Sequence, residues 1–270
     1  MIQNLLPSVR HVIAIASGKG GVGKTTVTVN LALALQQQGA RVAVFDADIY
    51  GPNVPLMLGI HQRKKSKAFV PVVRRAAAQP YIQPLERFGL KVMSVGLLLA
   101  EGQVINPPAA AVGQLVVQTL RDVVWGELDY LLIDLPPSAG QPQADLLQAR
   151  VIEGVVIVTT PQDLSLLDAG RSLQMFREAG VPILGLVENM SYFICPNCHE
   201  KHEIFQRSSR WRPDTLADVE IIGRVPLTAV ISTGINQASP LMQADPTSPV
   251  AQAFLETAVV LAEKLASNKP

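Results

Sequence analysis

The chain has 270 residues, 48% of them hydrophobic and 17% charged, so it can bury a large core and is not intrinsically disordered. Its 23 basic and 22 acidic side chains give a net charge of +1, which excludes a global field for holding nucleic acid or an anionic membrane. The only cysteines are Cys195 and Cys198, which excludes a secreted disulfide framework. With no leader-like start and no apolar run of about 18 residues, we expect a soluble, cytoplasmic protein with no nucleic-acid or membrane partner.

Short apolar runs alternate with helical patterns along the chain. The predicted strands lie at 11–17, 41–48, 90–96, 130–137, 154–161, 183–189 and 219–226. The predicted helices lie near 24–38, 114–124, 142–150, 163–179 and 249–266. Runs that are apolar on successive residues indicate strands buried on both faces, hence a mostly parallel sheet. The alternation predicts a doubly wound α/β fold, and since no linker or repeat divides the chain, residues 1–270 are expected to form one domain.

Two stretches depart from this rhythm. Residues 61–79 carry Arg63, Lys64, Lys65, Lys67, Arg74 and Arg75. We interpret this stretch as a solvated insertion rather than a contact patch for a partner, because aromatic residues are nearly absent from it. Residues 191–212 hold both cysteines and interrupt the path between the last two strands, which is where a function can be grafted onto a scaffold.

The strongest motif is Gly18-Lys-Gly-Gly-Val-Gly-Lys-Thr25, directly after a predicted strand and directly before a predicted helix. It fits the phosphate-binding pattern, in which glycines let backbone N–H groups surround phosphate oxygens at a helix N-terminus. Lys24 is expected to contact the β- and γ-phosphates of ATP, and Thr25 to coordinate Mg²⁺. The predicted nucleotide-binding residues of this loop are Gly18, Lys19, Gly20, Gly21, Val22, Gly23, Lys24, Thr25 and Thr26.

The same loop also matches a dinucleotide-binding fingerprint through Gly18, Gly20 and Gly23, with Asp46 as the ribose ligand. A lysine and a hydroxyl at the helix start serve a triphosphate and its metal ion instead, so ATP is the favoured ligand. Lys19 is a second lysine within the loop. A side chain there that projects away from its own nucleotide would reach a phosphate across a face-to-face dimer, as an arginine finger does.

Three aspartates lie at the ends of predicted strands, at the sheet edge where doubly wound folds bind ligands. Asp134 has the setting of the acid that holds Mg²⁺ through water, and Asp46 is expected close to the metal shell. Asp48 is expected to orient the attacking water, which makes Lys19 and Asp48 the predicted catalytic residues. Each aspartate alone is also typical of a turn or helix cap, but together with a phosphate loop they favour a catalytic site.

The spacing Cys195-Pro-Asn-Cys198 lets two thiolates bind one metal centre. A zinc site completed by His199 and His202 is one alternative, and inert thiols are another. A redox pair or a haem attachment site would lack its usual context. Iron–sulfur clusters commonly take four thiolates, so a symmetric dimer would share one such cluster, and the same symmetry would serve Lys19.

The deviant Walker A motif GKGGVGKTT resembles that of the MinD/ParA/nitrogenase iron protein superclass, in which the signature lysine, here Lys19, contacts nucleotide in the partner subunit. Over nearly the whole chain the sequence resembles the Mrp/ApbC family of iron–sulfur cluster carrier ATPases. The blocks that carry this resemblance are SGKGGVGKTTVTVNLALAL, VFDADIYGPNVPLMLG, WGELDYLLIDLPP, VIVTTPQDLSLLDA, VPILGLVENMSYFICPNCHEKHEIF and GRVPL. It implies that Cys195 and Cys198 bridge a cluster between two subunits, that Asn189 contacts adenine, and that apo iron–sulfur proteins are the recipients.

Three segments differ from the family pattern. Ser138-Ala-Gly-Gln141 stands where the family has Gly-Thr-Gly-Asp, Ile105–Pro108 replaces Trp-Arg-Gly-Pro, and Gln206–Arg210 replaces a glycine-rich stretch. Because a glycine is lost beside the γ-phosphate, the first difference predicts nucleotide binding with slow hydrolysis. A ParA/MinD-type positioning ATPase and a zinc-bound scaffold with weak turnover are the alternatives to a cluster carrier.

Overall fold

A computed structural model describes residues 5–60, 72–75, 80–98, 108–137, 140–195, 197–198, 200–205, 213–228, 230–231 and 238–267. The strands are β1 (Val9–Ser17), β2 (Val42–Asp46), β3 (Val72–Arg75), β4 (Pro80–Gln83), β5 (Leu85–Arg87), β6 (Leu90–Ser94), β7 (Leu128–Asp134), β8 (Gly154–Thr159), β9 (Ile183–Ile194), β10 (Lys201–His202) and β11 (Ile221–Leu227). The α-helices are α1 (Lys24–Gln37), α2 (Val54–Met57), α3 (Ala109–Asp122), α4 (Gln141–Gln148), α5 (Asp163–Glu178), α6 (Leu241–Ala244) and α7 (Pro249–Ser267).

Within the described residues, nine strands form the central sheet in the order β10-β9-β8-β1-β7-β2-β6-β5, and β11 also pairs with β9. All neighbours are parallel except β5 on β6 and β10 on β9. A separate antiparallel hairpin joins β3 to β4. The predicted α/β fold with a mostly parallel sheet is therefore confirmed, and β1, which leads into the phosphate loop, lies in the middle of the sheet.

Helices cover both faces of the sheet because successive side chains of a strand point to opposite faces. Ile13 and Ile15 of β1 belong to one core cluster with Leu31 of α1 and Phe254 of α7. Ala14 and Ala16 belong to a second cluster, which includes Val116 of α3 and Leu173 of α5. Helix α1 is buried continuously from Thr26 to Leu35, as expected for a helix that is apolar on most of its circumference. This two-sided packing holds the helix that follows the phosphate loop.

The structure adds elements that the apolar runs did not predict. Strands β3, β4 and β5 precede β6, and β5 joins β6 through a two-residue turn at Phe88 and Gly89, both with positive φ (51° and 76°). Helix α3 begins at residue 109 rather than 114, and α2 was not predicted. The strand predicted at 183–189 is longer than expected, because β9 continues to Ile194 and returns through β10 as a hairpin.

Several segments named in the sequence analysis lie outside the described residues. They are residues 61–71 and 76–79 of the basic stretch, 105–107, Ser138 and Ala139, His199, and 206–212. Of the basic stretch, only the backbone of Val72–Arg75 is described, as strand β3. Among the helices that the structure describes, none is both long enough and apolar enough to cross a membrane.

The packing of α7 gives a stability prediction. Phe254 is fully buried in the core cluster that α7 shares with α1, whereas Val259 on the same helix is 46% exposed. Phe254→Ala should therefore lower the free energy of unfolding by about 3–5 kcal/mol, since it removes buried surface and leaves a cavity. Val259→Ala is the matched control and should change it by about 0.5 kcal/mol or less. Urea denaturation followed by circular dichroism measures both, and equal midpoints for the two variants would contradict this placement of α7.

Candidate functional site

The phosphate loop between β1 and α1 has a backbone that requires glycine at three positions. Gly21 and Gly23 have φ of 80° and 83°, a left-handed conformation that other residues rarely adopt. Gly18 lies so close to the backbone of α5 at Asp168 that a Cβ atom would overlap it. The loop therefore keeps its shape through glycine conformations and through close packing against α5.

Asn189 of β9 supports the loop from the side. Its buried amide Nδ2 donates a hydrogen bond of 2.8 Å to the carbonyl oxygen of Val22. The same amide occupies the space that a Cβ at Gly23 would need. The residue predicted to contact adenine thus also fixes the phosphate loop, a role that no local sequence pattern indicated. The adenine contact stays a prediction.

A buried ion pair lies at the start of α1. Lys24 Nζ donates to Asp134 Oδ1 at 2.7 Å, and their side chains are 7% and 1% exposed. The hydroxyls of Thr25 and Thr28 donate to Asp134 Oδ2 and Oδ1, each at 2.7 Å. The structure brings together the predicted Lys24, Thr25 and Asp134. Thr28 was not among the predicted site residues, although it lies one helical turn after Lys24 and so on the same face.

Asp46 lies directly beside Asp134, in register on the neighbouring strands β2 and β7. It is fully buried, and burial raises its pKa well above the ordinary carboxyl value, with the charge of Asp134 acting in the same direction. Its Oδ1 accepts the backbone N–H of Asp48 at 3.1 Å, and its Oδ2 accepts the Ser94 hydroxyl at 3.1 Å and the N–H of Val54 at 3.3 Å. Through these hydrogen bonds Asp46 fixes the loop between β2 and α2. Its position near the metal shell stays a prediction.

A cleft of about 280 Å³ opens over the phosphate loop. Residues 19–26 line it together with Ser17, Asp48, Asn53, Leu56, Met57 and Pro137. Asp48 Oδ1 accepts the N–H groups of Tyr50 and Gly51 at 3.2 and 3.0 Å, so its carboxylate is held at the cleft. Lys19 is partly exposed, and its ammonium has no hydrogen-bond or ion-pair partner among the described residues. The two predicted catalytic side chains therefore line one cleft.

The cysteines lie at the tip of the β9–β10 hairpin. The N–H of Cys195 donates to the carbonyl of Glu200 at 3.0 Å and closes the turn. The backbone N–H groups of Cys198 and Asn197 donate to the Cys195 sulfur, and they lower the pKa of this thiol because they stabilise the thiolate. Ligand atoms of Cys195, Cys198 and His202 lie within 4.8 Å of one another. Soft thiolates in a turn whose N–H groups already point at sulfur fit a metal ion or an iron–sulfur cluster.

Both sites depend on β9. Asn189 holds the phosphate loop, and six residues later Cys195 begins the turn that carries both cysteines. Met190, immediately after Asn189, has φ of 56°, an unusual left-handed conformation for a residue other than glycine. The pairing of β9 with β11 is irregular at the same place, because Asn189 lies opposite Val225 and Phe193 lies opposite Leu227.

Both the sequence and the fold are similar to those of known proteins. The model of the family described as ParA, "NUBPL iron-transfer P-loop NTPase", matches residues 8–262. Proteins named "Iron-sulfur cluster carrier protein" are similar over most of the chain. The Aquifex aeolicus protein is 39% identical over 97% of this chain and 70% of its own length. The Methanocaldococcus jannaschii protein is 41% identical over 90% of this chain and 82% of its own length.

Two solved structures are similar to this chain in fold. A nucleotide-binding protein in complex with ADP from Archaeoglobus fulgidus superimposes with a TM-score of 0.73 and 31% identity, over 94% of this chain and 97% of that one. The cell division ATPase MinD of Pyrococcus furiosus superimposes with a TM-score of 0.64 and 24% identity, over 94% and 98% of the two chains. The second likeness concerns the fold alone.

Lys24 gives the prediction for this site. Lys24→Ala should weaken ATP binding about 10- to 150-fold, since a hydrogen bond to a charged group contributes about 1.5–3 kcal/mol. Lys19→Ala removes a lysine from the same loop and should bind ATP nearly as the unaltered protein does. Isothermal titration calorimetry measures both affinities, and circular dichroism checks that each variant is folded. A folded Lys24→Ala protein with unchanged ATP affinity would disprove the assignment of the phosphate loop.

Proposed function

Because the chain belongs to the NUBPL iron-transfer family of P-loop NTPases, we propose that it is an ATP-dependent carrier of iron–sulfur clusters. In this proposal two copies of the chain hold one 4Fe-4S cluster between them and pass it to apo iron–sulfur proteins in the cytoplasm, where thiols stay reduced. The observation that carries the proposal is the turn of Cys195 and Cys198, which directly follows the strand whose Asn189 holds the phosphate loop.

The ion pair of Lys24 and Asp134 explains how ATP and Mg²⁺ would bind together. When Lys24 turns to the β- and γ-phosphates, Asp134 is left as a buried carboxylate that has lost its cation, which costs several kcal/mol. Thr25 and Asp134 would then hold Mg²⁺, directly or through water. The ion, when bound, neutralises charge on the β- and γ-phosphate oxygens. ATP should consequently bind much more tightly with Mg²⁺ than without it.

Hydrolysis in this proposal uses Asp48 and Lys19. The N–H groups of Tyr50 and Gly51 fix the Asp48 carboxylate, which orients it for the attacking water. Lys19 has no partner among the described residues of its own chain, so its ammonium is available to the nucleotide of a second copy. Gln141, which stands where the family has aspartate, donates to Asp145 Oδ1 at 2.7 Å within α4. The switch loop therefore has an amide, and no carboxylate, at this position, which supports slow hydrolysis of ATP.

The second candidate function is a zinc-bound scaffold. The observation in its favour is His202, whose ring nitrogen lies with the two cysteine sulfurs. A positioning ATPase of the ParA/MinD type gives the cysteine turn no role. The basic side chain near the end of α7, Lys264, pairs with Glu220 at 2.7 Å rather than extending a basic face toward a membrane.

The stoichiometry of the cysteines gives a test of the cluster. Two thiolates per chain and about four per cluster predict one 4Fe-4S cluster per two chains after anaerobic reconstitution with iron and sulfide. Cys195→Ala and Cys198→Ala should each lose iron binding and keep ATP affinity within about twofold, because the thiols lie on a separate turn. Glu203→Ala, an exposed change on the same hairpin, is the control and should retain the cluster.

Analysis of iron, sulfide and zinc gives the content of each per chain, and light scattering shows whether the protein is a monomer or a dimer. A cluster held by a monomer, or one retained by the double cysteine variant, would contradict the shared site. A protein that keeps one zinc ion per chain and takes up no cluster would favour the scaffold function instead.

Mixing two inactive variants tests the role of Lys19 across the dimer. Each composite site needs Asp48 from one chain and Lys19 from the other, so a heterodimer of Lys19→Ala and Asp48→Ala has one intact site of two. Random mixing makes about half of the dimers heterodimers, which predicts about a quarter of the unaltered ATPase rate. Phosphate release measures the rate, and differently tagged chains verify mixing. Heterodimers without recovered turnover would show that Lys19 acts within its own chain or not at all.

A further inference from the structure

We propose that His202 is a third ligand for iron held by a single copy of the chain, so that Cys195, Cys198 and His202 form a Cys₂His site for Fe²⁺. This inference rests on the carrier function proposed above and adds, to the cluster that two copies share, a site for one iron ion in each copy. The ligand atoms of Cys195, Cys198 and His202 already lie within 4.8 Å of one another. Imidazole nitrogen and thiolate sulfur together suit borderline divalent ions such as Fe²⁺, Co²⁺ and Zn²⁺.

The register of the hairpin directs His202 toward the cysteines. His202 lies opposite Phe193, and residues opposite each other in an antiparallel pair share a face. Cys195 follows Phe193 by two residues and so lies on that same face. Lys201 lies opposite Ile194 on the other face, where its ammonium is 4.8 Å from the centre of the Tyr192 ring. Lys201 and Tyr192 therefore occupy the face opposite the one that His202 shares with Cys195.

The His202 ring has no contact among the described residues that would indicate a structural role. Its side chain is exposed, and its ring makes no hydrogen bond or ion pair with any residue that the structure describes. Cys198 is also exposed and Cys195 is half-buried, so the three ligands are accessible from outside. An exposed histidine without partners contributes little to folding, and its removal should leave the hairpin intact.

Three ligands in one chain have a chemical consequence for transfer. When Fe²⁺ binds, the two thiols lose their protons to solvent, and the imidazole binds as the neutral ring. A tetrahedral ion held by three protein ligands keeps a fourth position for an incoming group. A thiolate of the second chain or of the recipient enters there, and one original ligand leaves. No electron changes hands in this exchange.

Cobalt titration of the protein tests the inference, with Co²⁺ as the spectroscopic probe for Fe²⁺. The unaltered protein should bind one Co²⁺ per chain, with thiolate charge-transfer bands and tetrahedral ligand-field bands. His202→Ala should bind Co²⁺ about 10- to 100-fold more weakly, a loss seen even for groups that only support a metal ligand. Glu203→Ala, the exposed neighbour, should bind as the unaltered protein does.

Hyperfine EPR of the Co²⁺ protein labelled with ¹⁵N-histidine identifies the ligand directly. One histidine nitrogen should couple to the ion, and His202→Ala should abolish that coupling. If Co²⁺ affinity is equal with and without His202, or if His199→Ala abolishes the coupling instead, the assignment of His202 is wrong.

The outcomes also separate this inference from the carrier function. A protein that forms its shared cluster normally, and binds Co²⁺ equally well as His202→Ala, would overturn the role of His202 and leave the carrier function standing. A protein that binds Co²⁺ through His202 but assembles no cluster would overturn the carrier function and support the three-ligand site.

Discussion

Asp134 ends the strand beside β1, and its carboxylate accepts hydrogen bonds from Lys24, Thr25 and Thr28 at the start of α1. Taking two charges out of water costs several kcal/mol per ion unless the charges are paired and hydrogen-bonded. The end of β7 and the first turn of α1 must therefore meet, which sets how the chain leaves β1 and enters the helix. The glycine conformations at positions 21 and 23 are what that short connection requires. The nucleotide cleft is a consequence of this arrangement.

Strand β9 connects the turn that carries the cysteines to the phosphate loop. Strand β9 packs beside β8 and β11, contacts the phosphate loop with Asn189, and continues into the hairpin that carries Cys195. The hairpin has two different faces: one holds the thiols and His202, and the other holds Lys201 against Tyr192. One continuous strand therefore links the phosphate loop to the turn that carries the cysteines.

The parts of the fold that local patterns determine could be predicted from the sequence. Strands buried on both faces are continuous apolar runs, and the phosphate loop has a glycine pattern of its own. Strand β5 has only three residues, and the end of β9 mixes polar and apolar residues in Ser191-Tyr-Phe-Ile194 as a partly exposed strand does, so neither was predicted. The contact of Asn189 with Val22 joins residues 167 positions apart, and no local pattern encodes such a pairing. His202 was named only for zinc, since its alignment with the thiols depends on hairpin register.

Strand β9 is unequally supported along its length. Residues 183–188 pair with β8, and β11 runs along the other side, whereas Phe193 and Ile194 are held by the two residues of β10 and by one pairing with Leu227. Met190, with its left-handed backbone, separates the two parts. Amide protons should therefore exchange slowly before Met190 and faster beyond it, since opening free energy falls where fewer pairings hold the backbone. A bound metal ion would restore protection in the cysteine turn first, so that part of its binding energy goes into ordering the least protected end of the strand.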